Sequence, residues 1–295
     1  MTLKILKTFK YFLEAVFVLT LFILFKLLGH KISSQVGCFL FKQIGFLFRS
    51  NSKILSNIKN VYPNLENKDK EKIVEDMWCN YGRTFSEYMF LNQLNQNSSY
   101  IKIINPEKFL ELKNENKPIL FFSGHFANFE LMAMQIYKAG FDIHALYRPL
   151  NNYFLDPLML YLRKKYICPN QIPKAIPGRG KEGTKTLLSK IKEGKHLAIM
   201  VDQKVSQGLV VDFFNKPSLT ISIPATLSLK HNYLLVPVRL KRFDKYFFKF
   251  VIDEPLKISS NDNEKSILLK MNKKIEEILL DNPNQWIWTH SRWKL

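Results

Sequence analysis

Residues 118–140 read PILFFSGHFANFELMAMQIYKAG, and the division of this stretch decides the fold. The run Pro118–Ser123 is apolar, continuous and too short for a helix. It reads as a strand buried on both faces. From Ala127 onward the apolar residues recur at helical spacing, and Gly140 stands where a helix C-cap glycine belongs. Between the two lies Gly124-His125. This is a strand–loop–helix unit, and the chain repeats it downstream. DIHALYRPL reads as a strand, NNYFLDPLMLYLRKKY as a helix with a basic end, and KEGTKTLLSKIKEG as a helix stopped by Gly194. HLAIMVDQ is a strand with a polar end, IPATLSLKHN a helix, YLLVPVRLKR a strand and KYFFKFVIDEPLKI an alternating, antiparallel-type strand. EKSILLKMNKKIEEILLDNPNQ is a last amphipathic helix. The alternation predicts an α/β fold with a mixed, mostly parallel sheet flanked by helices.

The N-terminal stretch differs. Residues 11–28 read YFLEAVFVLTLFILFKLL, uncharged from Ala15 to Phe25. As a helix about 18 residues long it would span roughly 27 Å, close to the ~30 Å hydrocarbon core of a bilayer. No small-residue cleavage site follows closely, so residues 1–30 are expected to be an uncleaved membrane anchor that either spans once or lies partly in the interface. Positive residues on both sides leave its orientation open. Residues 36–63 read as a basic amphipathic helix followed by a second one, suited either to a membrane surface or to the core. Residues 64–91 form an amphipathic helix with Asn64 or Asn67 as cap, and residues 96–117 are mostly polar. The expected organisation is an anchor over 1–30 and one domain over 31–295, helical and membrane-proximal over 31–105 and α/β over 106–295.

The 295 residues carry a formal charge of +19. Such an excess suits nucleic acid, an anionic membrane or an acidic protein. A lysine-rich composition accounts for part of it. Cys38, Cys79 and Cys168 are scattered and odd in number, so neither a zinc knuckle nor a disulfide framework is indicated, and a reducing compartment is the simplest reading.

The polar ends of two strands carry the chemistry. His125 follows one apolar run, and Asp202-Gln203 follow another. Ligands of open α/β sheets gather at such carboxyl ends. Asn128 can cap the helix after His125, which places Glu130 in its first turn. A loop histidine folded back onto that carboxylate would have one ring nitrogen fixed and the other made more basic, able to deprotonate a hydroxyl. A structural histidine is the competing reading, and spacing alone does not separate them.

The sequence resembles the lipid A biosynthesis acyltransferase family. The family's His-x-x-x-x-Asp/Glu segment reads here Gly124-His125-Phe126-Ala127-Asn128-Phe129-Glu130, with Ala127 and Phe129 in place of the usual Gly and Trp. A Tyr-Arg-Pro block reads Tyr147-Arg148-Pro149-Leu150-Asn151-Asn152, a strand–Asp-Gln block reads Val201-Asp202-Gln203, and VVDFFNKPSLT matches the loop after it. The C-terminal signature reads Pro283-Asn284-Gln285-Trp286-Ile287-Trp288-Thr289-His290-Ser291-Arg292, with Ser291 where the family has an arginine.

The resemblance implies a glycerolipid-acyltransferase-like fold. It also implies transfer of a fatty acyl chain, lauroyl in the commonest member, from acyl-carrier protein to a hydroxyl of a Kdo-lipid IVA-type precursor. His125 would be the general base and Glu130 its orienting partner. A thioester is already activated, so neither metal nor cofactor is expected. Arg148, Arg163, Arg179 and Lys181 are candidates for the acceptor's phosphates and acidic sugars. Asp202 would hold one of these cations or orient its loop, and Asn128, Gln203, His290 and Arg292 complete the expected binding set. Met132, Met134 or Ile136 would form the floor of the acyl pocket. For Trp286, Trp288 and Trp293, core or membrane-interface packing is the expectation. The implied partners are acyl-carrier protein, the lipid A precursor and the bacterial inner membrane, with the catalytic domain on its cytoplasmic face. A nucleic-acid-binding protein would need a recognition motif that is absent, and a scaffold would be expected to have lost the His-Glu pair. A relative using another glycolipid or acyl-CoA is hardly distinguished by sequence.

Overall fold

The computed structural model describes residues 2–174 and 182–294, the side chains of residues 2–4 excepted. The chain begins with α1 (Thr2–Leu28), α2 (His30–Phe48), α3 (Asn51–Val61), α4 (Asn67–Glu87) and α5 (Leu91–Gln96). Strands and helices then alternate: β1 (Ile101–Ile104), α6 (Lys108–Asn114), β2 (Ile119–Ser123), α7 (Glu130–Lys138), β3 (Ile143–Tyr147), α8 (Asp156–Tyr166), β4 (Asn170–Pro173), α9 (Glu182–Lys192) and β5 (His196–Met200). The hairpin β6 (Leu209–Phe213) and β7 (Lys216–Thr220) follows, then α10 (Ile223–His231), β8 (Leu234–Phe243), β9 (Phe247–Ile252) and α11 (Glu264–Asp281).

Among the described residues, seven strands form one sheet in the order β1-β9-β8-β2-β5-β3-β4. β8, β2, β5, β3 and β4 run parallel. β9 folds back antiparallel on β8 through a turn in which Asp244 and Lys245 both have positive φ. β1 pairs parallel with β9 at the edge. The fold is thus the expected α/β sheet, mostly parallel and flanked by helices. β2 is buried throughout, with Leu120 and Phe122 in one apolar layer and Ile119 and Phe121 in the other. A strand with no face toward water has no reason to alternate, hence the unbroken apolar run.

Three features depart from the sequence reading. β1 lies in the polar stretch 96–117 and β4 is the weakly apolar NQIP, so the sheet reaches back across the expected boundary at residue 105. VVDFFNKPSLT is a hairpin rather than a loop: Phe214 and Asn215 form its two-residue turn, both with positive φ, without the usual Asn-Gly signal. At the start of α4, Glu66 rather than Asn64 or Asn67 occupies the N-cap.

The α2–α4 crossing is close. A Cβ on Gly37 would lie 2.3 Å from the Gly82 carbonyl oxygen, and one on Gly82 would lie 2.0 Å from that of Gly37. This approach brings Cys38 and Cys79 to a Cα separation of 3.9 Å, and a disulfide joins them. The expectation that no cysteines pair is corrected here. Helix crossing, not spacing, unites residues 41 apart in sequence. One face of α2 packs inward through Ser33, Gly37, Phe41 and Gly45, while Ile32, Phe39 and Phe46–Phe48 on the other side are exposed. In α1, Ile5–Leu28 is long and apolar enough to cross a membrane, with a mean hydropathy of 2.2. Its Ala15, Phe22 and Phe25 are nevertheless buried.

Candidate active site

The chain leaves β2 toward β3 on one side and leaves β5 toward β8 on the other. Adjacent β2 and β5 are therefore where the connections reverse direction, and a cavity lies against their carboxyl ends. Val201 N donates to Ser123 O at 2.9 Å and extends the pairing to the strand ends. The loops beyond it carry His125 and Asp202, and the two side chains meet.

His125 Nδ1 lies 2.7 Å from Asp202 Oδ1. The His125 backbone N–H donates to Asp202 Oδ2 at 2.8 Å, and the Trp286 indole N–H donates to the same oxygen at 2.7 Å. Burial alone would raise the Asp202 carboxyl. The charge of His125 and these donors more than offset it and hold the group well below the usual carboxylate range. An ionised Asp202 accepts from Nδ1–H, so the lone pair of a neutral ring sits on Nε2. Gln203 Nε2 lies 3.4 Å from both ring nitrogens and donates to His290 Nε2 at 2.9 Å. Burial, reinforced by the charge of His125, pushes the His290 imidazole down to about 4, so it is neutral at pH 7.

The carboxylate on His125 is thus Asp202 and not Glu130. Glu130 is the first residue of α7, and its side chain turns toward α8 and the turn that follows α4. It accepts from Arg163 Nε at 2.9 Å, from Arg163 Nη2 at 2.5 Å and from the Tyr88 hydroxyl. This pair engages Nε and Nη2 of Arg163, while its Nη1 is buried without a protein partner. Arg292 is corrected: it is fully buried and donates to Leu219 O, Thr220 Oγ1 and Asn272 Oδ1, tying the C-terminus to β7 and α11. Arg179 and Lys181 lie outside the described residues. Arg148 is exposed at the end of β3 and lines the same cavity as His125. Lys174, which sequence reasoning missed, joins it there. Burial lowers its ammonium, and Arg148 adds to that.

The loop after β2 is held from beneath. Asn128 does not cap α7; it donates to Glu87 Oε2 at 2.9 Å, and Phe129 takes the N-cap. Arg242 forms an ion pair with Glu87, both buried, and also donates to Asn80 Oδ1 at 2.9 Å and Thr84 Oγ1 at 3.2 Å. Thr84 Oγ1 in turn donates to Ala127 O at 3.1 Å. From above, Ala127 N donates to Gln285 O at 3.0 Å and Ile287 N to His125 O at 3.3 Å. The C-terminal signature thus pairs with the loop, and Trp286 sits in the core as expected. An acid and an amide on the apolar face of α4 were the available signal for Glu87 and Asn80.

Ala127 adopts φ +48, where a side chain is strained and glycine is not. Ala127→Gly is expected to raise stability by about 1 kcal/mol. Urea unfolding of the detergent-solubilised protein checks this, and a lower midpoint would mean that packing of the buried methyl outweighs the strain.

His125, Gln203, His290, Arg148 and Lys174 border a cavity of about 430 Å³. Met132 and Ile136 line it as expected, whereas Met134 packs into the core instead. Glu130, Arg163 and Tyr88 add a polar patch to its wall. Among the described residues, no three His, Cys, Asp or Glu side chains are grouped to hold a metal. A histidine oriented by a buried carboxylate, beside cations and over an apolar cavity, can take a proton from a hydroxyl next to a bound hydrocarbon chain. No curated relative matches the chain. Residues 2–295 match the family described as bacterial lipid A biosynthesis acyltransferase. With that match over essentially its whole length, the chain belongs to the bacterial lipid A biosynthesis acyltransferase family.

Proposed function

We propose that this acyltransferase moves a fatty acyl chain, lauroyl by analogy with the family's commonest member, from acyl-carrier protein to a hydroxyl of a Kdo-lipid IVA-type precursor in lipopolysaccharide synthesis. The observation that carries the reading is the His125–Asp202 pair at the edge of the apolar cavity. Asp202 accepts from Nδ1–H of His125, and Nε2 takes the proton of the acceptor hydroxyl. The oxygen attacks the thioester carbonyl, and the tetrahedral intermediate collapses with cleavage of the C–S bond. The departing thiolate takes the proton from Nε2. Base assistance of this kind contributes typically about 100- to 10,000-fold. Arg148 and Lys174 meet the acceptor's phosphates, with the planar guanidinium suited to bidentate contact. Gln203 and His290 shape the floor beside the reacting atoms. No step calls for a metal or a cofactor.

The enzyme sits on the cytoplasmic face of the inner membrane, where acyl-carrier protein is found. That carrier is acidic and this chain carries +19, so opposite potentials speed encounter. The test is donor competition: matched acyl-carrier-protein and CoA thioesters at two salt concentrations, with the product lipid identified by mass spectrometry. The carrier thioester is expected to win at low salt, and added salt to narrow its lead. Equal use of both donors at low salt would sink the carrier assignment, and acylation of a different glycolipid would sink the acceptor assignment.

A further inference from the structure

The apolar N-terminal helix is docked along the catalytic domain. Tyr153 and Thr8 share a hydrogen bond of 2.9 Å, and Asn152 donates to Tyr11 O at 2.8 Å. Phe22 packs on Phe85 with ring centroids 5.0 Å apart, and Phe25 is fully buried. Lys26 Nζ donates to Met89 O at 3.2 Å. The opposite face of the helix, with Phe9, Leu13, Val16, Phe17, Ile23 and Leu24, is exposed. Between Ala15 and Phe25 α1 carries no charge on any face: one stripe is covered by protein, and the other calls for lipid.

Val18 and Phe22, on the protein-facing stripe, line the same cavity as His125. The cavity lining draws chiefly on two apolar clusters, with Phe122 and Ile199 added from a third on the other face of the sheet. Met132, Ile136, Phe121 and Val238 belong to the layer between the sheet and α7. Phe22 and Met159, with Val18, Phe85 and Leu150 against them, belong to a separate cluster centred on α1. We infer that this second group walls a lateral arm of the cavity, running from His125 to α1, and that the arm takes an acyl chain of the membrane-borne acceptor. The inference rests on the transferase reading above.

The physical ground is continuity. A chain drawn from the bilayer through water would expose its methylene groups, at a cost that grows with each one. A chain that passes beside α1 moves from lipid to an apolar arm without that exposure, because the helix bordering the arm is apolar on its outer face too. The layer between the sheet and α7 is enclosed by core residues and suits the chain of a soluble donor, which arrives from the aqueous side. Reaction of two hydrocarbon-bearing substrates at one histidine needs two apolar compartments, and the lining provides both. α1 is then part of the acceptor site as well as a membrane anchor.

The test uses the full-length protein in vesicles, with a hydroxyacylated, phosphorylated glucosamine disaccharide as acceptor. Val18→Trp fills the arm, whereas Val16→Trp adds the same bulk to the exposed outer face. Val18→Trp is expected to raise the acceptor KM by roughly tenfold, a loss of binding to the arm. Its preference among decanoyl to palmitoyl donors and its flotation with vesicles should match wild type. Val16→Trp should match wild type throughout. Should Val18→Trp fail to fold, wild-type protein supplies a second readout: with no donor present, an acceptor bearing a photoactivatable acyl chain is expected to label the segment from Val18 to Phe22. An unchanged acceptor KM in folded Val18→Trp, a shift in donor preference instead, or labelling confined to other segments would each overturn the inference. Labelling of α1 by a wild-type protein that transfers from no thioester would uphold the arm and overturn the transferase reading. Transfer without labelling would do the reverse.

Discussion

His125→Ala is expected to slow acyl transfer by roughly 100- to 10,000-fold, the range for loss of a general base. Asp202→Asn should have a comparable effect for a different reason. An amide at that position can donate to Nδ1, which moves the ring proton to Nε2 and removes the lone pair that faces the hydroxyl. Because the two residues act as one unit, the double variant should be hardly slower than either single one. Glu130→Gln separates the two readings of the site. Glu130 is engaged by Arg163 and Tyr88, so its loss should loosen the cavity wall and leave the pH profile of kcat in its wild-type form. Steady-state kinetics across pH, with circular dichroism to confirm folding, checks the set. Near-normal turnover by His125→Ala would remove the base. A pH profile altered in Glu130→Gln but not in Asp202→Asn would return the orienting role to Glu130.

Arg242→Met is the prediction with the largest expected effect on stability. It leaves Glu87 buried and without its ion-pair partner, and breaking a pair in this way typically costs about 3–5 kcal/mol. Glu87→Gln should cost less, since its amide can still accept from Arg242 and from Asn128. Glu87→Leu combined with Arg242→Met should recover part of the loss, because no uncompensated charge remains. Both single variants should also lower activity beyond their effect on folding, since Asn128 and Thr84 join the same network to the loop that carries His125. Urea unfolding and turnover of the folded fraction are the measurements. A loss below about 1 kcal/mol for Arg242→Met would place the pair among those that contribute little.

What the amino-acid sequence determined by itself is local. The apolar run before Gly124, the helical period after Ala127 and the glycine at 140 each follow from burial along one continuous segment. They were legible without any partner, and so were the strand-end position of His125, the apolar helix at the N-terminus and the motif blocks of the family. The tertiary structure decided which distant residues meet. Asp202 reaches His125 because β2 and β5 are neighbours, although no spacing across 77 residues encodes that adjacency. Glu130, at the expected distance in sequence, was drawn to Arg163 because the start of α7 faces α8. Arg292 matched a motif and proved to be a buried tie, and Cys38 joined Cys79 through a helix crossing permitted by two glycines. β1, β4 and the hairpin β6–β7 gain their order from pairing rather than from apolar pattern. Periodicity reports how one segment divides its surface between core and solvent; strand order and helix crossing choose which segments share that core.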